Sequence, residues 1–132
     1  MILGIGVDLV DMRRIERLLE KFGERFIQKV FTKQERAYAS LSPHPLQVYA
    51  NRFAAKEAAA KALGTGMRGI GWKEIEISRA PSGAPSLIFH GKAYEIFVSR
   101  IPPRYTGALH VSFSDEPPYS TAFVVLSAAS VA

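Results

Sequence analysis

The sequence predicts an α+β domain in which a largely antiparallel sheet packs against one long alanine-rich helix. Three observations predict it. Segments with helical spacing and segments with alternating spacing are interspersed along the 132 residues. The last strands are joined by hairpin-length connections, which favour antiparallel pairing. Seven of the 13 residues from Ala50 to Ala62 are alanine, the strongest helix former. The length suits one domain spanning residues 1–132, and such a chain buries roughly two-thirds of its unfolded surface without a staple.

Ile2–Leu9 reads as a strand with two rows. Leu3, Ile5, Val7 and Leu9 form an apolar row; Ile2, Gly4, Gly6 and Asp8 form the other, where glycines admit a second backbone or a ligand. Asp11–Phe22 reads as a helix, with Ile15, Leu18, Leu19 and Phe22 at apolar spacing and Gly23 to end it. Arg14, Arg17 and Lys21 make a basic stripe beside that apolar one. Thr32-Lys33-Gln34-Glu35 has capping-box form and starts another helix. After the break at Ser42–Pro45, Leu46–Leu63 is the clearest helix, with Gly64 at its end. Lys73–Ser78 and Ser86–Phe89 read as strands about a Pro81–Pro85 turn, and His90–Ser99 as a helix with Ala93, Ile96 and Phe97 inward. Ile101–Tyr105 is a proline-broken loop. Leu109–Ser114 and Ser120–Ser127 read as the closing strands.

Composition narrows the chemistry. Hydrophobic residues are 48% and charged residues 22%, an ordinary globular balance. With no cysteine, disulfides, zinc–thiolate sites and thiol catalysis are excluded. The longest uncharged stretch, Pro117–Ala132, is too short and too interrupted by proline and serine for a membrane helix. The first residues lack a basic leader, so a cytoplasmic setting is expected. A net charge of +5 favours an anionic partner: nucleic acid, phosphorylated small molecule or acidic protein.

Glu57 is the most informative residue. On a helical wheel it lies in line with Phe53, Ala54, Ala60, Lys61 and Gly64, a stripe of mostly small and aromatic residues. Its charge is either paired within the helix to Lys61 or bound to a cation. Asp8 either caps the following helix or joins Glu57 in a two-carboxylate site, whose hard oxygens suit magnesium completed by substrate phosphate. Arg52, Lys56 and Lys61 supply positive charge, and Gly64-Thr65-Gly66 is either a helix cap or a phosphate-contacting loop. His110 shares a strand face with Ser112 and Ser114, and is either structural or a ligand contact. Trp72 and Tyr105 read as packing residues.

The order Gly4-Ile5-Gly6-Val7-Asp8, Arg14, Phe31-Thr32-x-x-Glu35 and Arg52-Phe53-Ala54-Ala55-Lys56-Glu57-Ala58-x-x-Lys61-Ala62-x-Gly64-Thr65-Gly66 resembles the holo-acyl-carrier-protein synthases. These are the small single-domain 4′-phosphopantetheinyl transferases. The match runs on through Ile75-Glu76-Ile77, Gly83-x-Pro85 and Gly91-Lys92-Ala93 to His110-Val111-Ser112, nearly the whole chain. The resemblance implies the 4′-phosphopantetheinyl transferase fold and a homotrimer with active sites between subunits. It implies transfer of 4′-phosphopantetheine from coenzyme A to a serine of apo acyl carrier protein, in support of fatty acid biosynthesis. By motif, Asp8 and Glu57 match the magnesium ligands, and Lys61 the lysine beside the pyrophosphate. Gly64 and Thr65 match the coenzyme A loop. Arg52, Lys56 and His110 fall in the coenzyme A-binding blocks, and Arg14 matches the carrier-docking arginine, a basic rim that Arg17 and Lys21 extend. The sequence departs from the family at Ser114-Asp115, where many members have a Ser/Thr-His pair; aspartate cannot replace histidine as a cationic phosphate ligand. Neither nucleic acid nor membrane is an expected partner. The rivals are a small basic nucleic-acid-binding module, which leaves Glu57 unexplained, and another magnesium-dependent phosphate-transfer enzyme.

Overall fold

Helix α4 (Pro45–Leu63) forms the centre of the molecule, and 14 of its 19 residues are buried. In the computed structural model, which describes residues 1–131, the other elements are arranged around it. In chain order they are β1 (Ile2–Asp11), α1 (Met12–Phe22), α2 (Glu24–Val30), α3 (Lys33–Leu41), then α4, β2 (Ile75–Arg79), β3 (Pro85–Phe89), α5 (Gly91–Ser99), β4 (Tyr105–Glu116) and β5 (Tyr119–Ser130). The strands form a three-stranded antiparallel sheet in the order β1-β5-β4 and a separate β2-β3 hairpin. The expected α+β class with antiparallel sheets is therefore observed.

The glycine row of β1 is the row that meets α4. A Cβ added at Gly6 would fall on the carbonyl oxygen of Ala58, and one at Gly4 on that of Ala62. Backbone thus lies on backbone, which only glycine on the strand and alanine on the helix permit. Asp8 continues this inner row, paired with buried Ala122 of β5. The apolar row points the other way. Ile5, Val7 and Leu9 are 57%, 53% and 65% exposed, and Phe123, paired with Val7, is 47% exposed. His110 is paired with Val125, on that same outer face.

Several boundaries differ from the sequence expectation for local reasons. Asp11, not Asp8, caps α1, its carboxylate accepting from the Arg13 backbone N–H at 2.9 Å. Gly23, at φ 57°, turns the chain straight into α2, a helix that Glu24–Val30 gave no periodic sign of. Phe22 is consequently exposed, whereas Ile15 is fully buried. The capping box forms as read: Thr32 N–H donates to Glu35 Oε1 at 2.8 Å and Glu35 N–H to Thr32 Oγ1 at 3.2 Å. A 3₁₀ turn at Trp72–Glu74 delays β2 to Ile75. β4 and β5 pair over Tyr105–Glu116 and Tyr119–Ser130, well beyond the expected limits, because the alternation continues through Ala128 while the proline segment stops at Pro103.

The close β1–α4 contact makes a direct prediction. Gly6→Ala forces the two backbones apart and destabilises the fold by about 2–3 kcal/mol, an overpacking cost. A urea titration followed by circular dichroism checks this, with the unfolding midpoint moving down.

Candidate functional site

Asp8 projects from the inner row of β1 toward the last turns of α4. There it meets Lys61, whose Nζ lies 3.2 Å from Asp8 Oδ1 and donates to the Val7 carbonyl at 3.0 Å. Glu57 stands one turn earlier on the same helix, partly buried. Its carboxyl is pushed above the ordinary glutamate value, first by burial and next by the negative charge of Asp8; Arg14 and Lys61 oppose the shift. Two carboxylates distant in the chain therefore share one electrostatic neighbourhood. Lys61 pairs with Asp8 across the β1–α4 contact, so the purely intrahelical Glu57–Lys61 pairing is not what the structure forms.

The donor set fits a hard divalent cation. The carboxylates of Asp8 and Glu57 offer the hard oxygen donors that such an ion takes. Among the described residues no cluster of three or more His, Cys, Asp or Glu side chains could hold a metal by itself. An ion held by Asp8 and Glu57 must take its remaining ligands from water or from a bound phosphate, as magnesium commonly does.

Arg14, on the exposed face of α1, reaches over the Phe53 ring with its guanidinium carbon 5.4 Å from the centroid. It thus connects the α1 surface to the carboxylate pair. Arg17 and Lys21 continue outward along the same helix, both exposed. Beside them lies an open groove of about 260 Å³ between α1 and α2, walled by Leu18, Phe22 and Phe26 and rimmed by Arg25 and Lys29.

At the end of α4, Gly64 takes the left-handed conformation at φ 82° that caps the helix. The Thr65 hydroxyl turns inward to the Gly66 carbonyl at 2.8 Å. Sequence reading missed Arg100, from the end of α5. Its guanidinium donates to the carbonyls of Ala62 at 3.2 Å, Leu63 at 2.6 Å and Leu3 at 2.7 Å. It answers the negative end of the helix dipole beneath the Gly64–Thr65 loop and ties that end to β1. Nothing in local sequence marks it, because the contact spans 37 residues or more.

Other expected site residues stand elsewhere. Lys56 is fully buried: its Nζ lies 2.8 Å from Glu35 Oε1 and donates to the carbonyls of Ile75 and Trp72. This corrects the expectation that Lys56 meets the nucleotide, since its ammonium has no free donor and no access. Arg52 is also buried, on a different side of α4 from Glu57. His110 is on the outer sheet face, its Nε2 3.0 Å from Ser127 Oγ, so the sheet separates it from Asp8. Asp115 accepts from Gln47 Nε2 at 3.0 Å, Asn51 Nδ2 at 3.2 Å and the Ser120 hydroxyl. Its role is to tie α4 to the β4–β5 hairpin. Trp72 stacks on Phe53 at 4.9 Å, a packing role as read. Among the described residues no helix is long and apolar enough to cross a membrane.

Comparison with known proteins converges on one family. The family model described as the 4′-phosphopantetheinyl transferase superfamily matches residues 4–114. A holo-[acyl-carrier-protein] synthase of Methylobacterium sp. (strain 4-46) is 53% identical over 129 residues, covering 97% of this chain and 96% of the relative. The crystal structure of the Neisseria meningitidis holo-[acyl-carrier-protein] synthase superposes with a TM-score of 0.83 at 38% identity, over 96% of this chain and 99% of that one. The Helicobacter pylori holo-[acyl-carrier-protein] synthase, solved in complex with coenzyme A, gives 0.79 at 27% identity, over 93% and 99%.

The raised Glu57 carboxyl has a consequence for stability. A folded-state pKa above the unfolded one means that ionisation opposes folding. The favourable contribution is complete below the ordinary glutamate pKa and is lost as pH rises through the folded-state value. Glu57→Gln removes that loss. Metal-free Glu57→Gln melts on the order of 2–4 °C above the parent at pH 7.5, and the gap closes toward pH 4. Differential scanning calorimetry across that range measures it.

Proposed function

The chain belongs to the 4′-phosphopantetheinyl transferase superfamily, among its holo-[acyl-carrier-protein] synthases, and from that premise we propose that it moves 4′-phosphopantetheine from coenzyme A to a serine of apo acyl carrier protein. The observation that carries the reading is the Asp8–Lys61 pair across the β1–α4 contact, with Glu57 one helical turn from Lys61 and within reach of the charge of Asp8. The coenzyme A bound in the Helicobacter relative supports the donor.

In this reading the serine oxygen attacks the pantetheine-side phosphorus of the coenzyme A diphosphate. The bond from that phosphorus to the bridging oxygen breaks, and adenosine 3′,5′-bisphosphate leaves. Asp8 and Glu57 would hold magnesium, which would supply charge neutralisation to the diphosphate. The serine proton passes to Glu57 or to a water at the site. Lys61 stands at the exposed edge of the pair, where its ammonium meets the charge growing on the leaving phosphate. The Gly64–Thr65 loop, with Arg100 beneath it, receives the nucleotide side. No nucleophilic side chain of the protein is required.

The partner surface follows from charge and shape. Arg14, Arg17 and Lys21, with Arg25 and Lys29 around the apolar groove, suit an acidic helical carrier protein; the cations steer encounter and the groove takes an apolar side chain. Arg14 belongs to both this surface and the carboxylate site, so docking brings the serine to the reacting centre. The reading also includes a homotrimer. Ile5, Val7, Leu9 and Phe123 leave an apolar sheet face open, and such faces mark interfaces. His110 stands on that open face, so in the trimer reading it belongs to the contact between copies. Fatty acid synthesis is the pathway this transfer would serve.

Incubation of apo carrier protein with coenzyme A and magnesium gives a phosphopantetheine-sized mass gain on one serine by mass spectrometry; no gain overturns the reading. Glu57→Ala abolishes the gain, by a factor of 10³ or more (on the order expected for loss of a metal and proton-transfer group), without loss of fold. Arg14→Glu raises the KM for carrier protein roughly tenfold and leaves the KM for coenzyme A near that of the parent in steady-state assays. Phe123→Lys on the open sheet face yields monomers by light scattering and loses turnover with them.

A further inference from the structure

Helix α4 ends with more free carbonyls than its own cap satisfies. The last four carbonyls of a helix have no partner inside it. Here they belong to Ala60, Lys61, Ala62 and Leu63. The Gly64 N–H donates to the Lys61 carbonyl at 3.0 Å, and the Gly66 N–H to that of Ala60 at 3.2 Å. Among the described residues no backbone N–H from outside α4 reaches Ala62 or Leu63. Arg100 Nη1 donates to both, at 3.2 Å and 2.6 Å. Its Nη2 donates to the Leu3 carbonyl at 2.7 Å. The β1–β5 register shifts between Ile2 and Gly4, so Leu3 has no partner residue on β5. One guanidinium therefore takes what the helix cap leaves over and the irregular point of β1 together.

The guanidinium is fixed from behind. Arg100 caps α5, its backbone N–H donating to the Phe97 carbonyl at 3.0 Å. Phe97 and Ile101 lie on Gly107 of β4, where an added Cβ would stand 2.6 Å from Phe97 Cζ and 2.6 Å from Ile101 Cδ1. The end of α5 is thus seated on the sheet. A planar fork holds several acceptors in one geometry, and its permanent charge faces the negative end of the α4 dipole. A Cβ at Gly64 would lie 3.7 Å from Nη1, so the guanidinium stands directly beside the first residue of the Gly64–Thr65 loop. Arg100 is exposed, so its removal opens no cavity and water reaches the freed carbonyls. What is lost is geometry. The last turn of α4 then frays, and that turn carries Lys61 and leads into the loop.

We infer that Arg100 is a positioning residue for coenzyme A: from α5 it sets the end of α4 against β1, and with it the Gly64–Thr65 loop and the Lys61 ammonium. The ligand is coenzyme A by the transferase reading, on which this assignment rests. The hydrogen bonds of its guanidinium run to backbone carbonyls, so Arg100 acts through the chain it holds.

The test uses the full chain, with steady-state transfer and calorimetric coenzyme A binding as readouts. Arg100→Ala raises the KM for coenzyme A roughly tenfold, within the loss that a small misplacement causes. The KM for carrier protein stays near that of the parent, because the α1 surface lies outside the contacts of Arg100. A merely structural role would instead lower the active fraction, and so kcat, without moving either KM. Guanidinium chloride at low millimolar concentration, with potassium chloride as the ionic control, restores part of the affinity of Arg100→Ala and leaves the parent unchanged. Arg100→Lys keeps the charge without the planar fork, and serves where Arg100→Ala fails to fold; its KM for coenzyme A also rises. An unchanged KM for coenzyme A in these variants, or a loss of kcat alone that follows the folded fraction by circular dichroism, overturns the assignment and leaves the transferase reading intact. No transfer by the parent strikes that reading instead. Calorimetry then decides the positioning role, and equal coenzyme A affinities in parent and variant overturn it.

Discussion

The closeness of α4 to β1 is the constraint on which the rest of this structure depends. Gly4 and Gly6 present no side chains, and Ala58 and Ala62 present one methyl group each, so strand and helix meet backbone to backbone. That approach brings Lys61 Nζ within hydrogen-bond reach of both the Val7 carbonyl and Asp8. A helix held an ångström further out would break both bonds and separate the carboxylates. Displacements of that size are enough to disable a site whose chemistry is alignment rather than covalent catalysis. Arg100 serves the same constraint from the far end, bridging the last carbonyls of α4 to Leu3 of β1.

The charges of α4 divide by burial into structural and chemical ones, and magnitudes make the division. Lys56 and Glu35 are wholly enclosed, and removing either partner would leave an uncompensated buried ion at about 3–5 kcal/mol. Such a pair cannot exchange partners during a reaction. In the Lys61–Asp8 pair the aspartate is largely covered but the lysine side chain is 53% exposed and open to water. A pair with one solvated partner contributes far less than an enclosed one, on the order of 1 kcal/mol, so its lysine is free to exchange partners. Residues five apart on one helix, in one short motif, therefore do unlike work. The motif spacing is identical for both; only the neighbours differ, β2 and α3 for Lys56, solvent and β1 for Lys61.

Much of this was legible in the chain, for identifiable reasons. The alanine run, the Thr32–Glu35 capping box and the Gly64 cap are local signals, and local structure followed them. The glycine row of β1 was legible as a place of close approach. What approached was not, since only the tertiary fold puts α4 there. Lys56 was misread because a motif records proximity in sequence, whereas its partner Glu35 lies 21 residues earlier across a helix packing contact. Arg100 and Asp115 escaped for the same reason: their bonds run to Leu63 and to Gln47, from opposite ends of the fold. Helix α2 escaped because seven residues are too few to show a period.

The two faces of the β1-β5-β4 sheet carry the last step of the argument. The inner face has small residues, a helix and the carboxylate pair. The outer face has Ile5, Val7, Leu9 and Phe123 with His110 among neutral neighbours, an arrangement poorly suited to water. A strand that only had to cover α4 would place polar residues outward, as antiparallel sheets with one solvated face do. β1 instead alternates glycine inward with aliphatic side chains outward, so both of its faces are apolar and only one of them is covered by α4. The row that reads in sequence as the core face of β1 is therefore an apolar face turned away from α4. His110, on the outer face beside Ser127, is separated from Asp8 on the inner face by the thickness of that one sheet, so the two faces of a single sheet carry unlike chemistry.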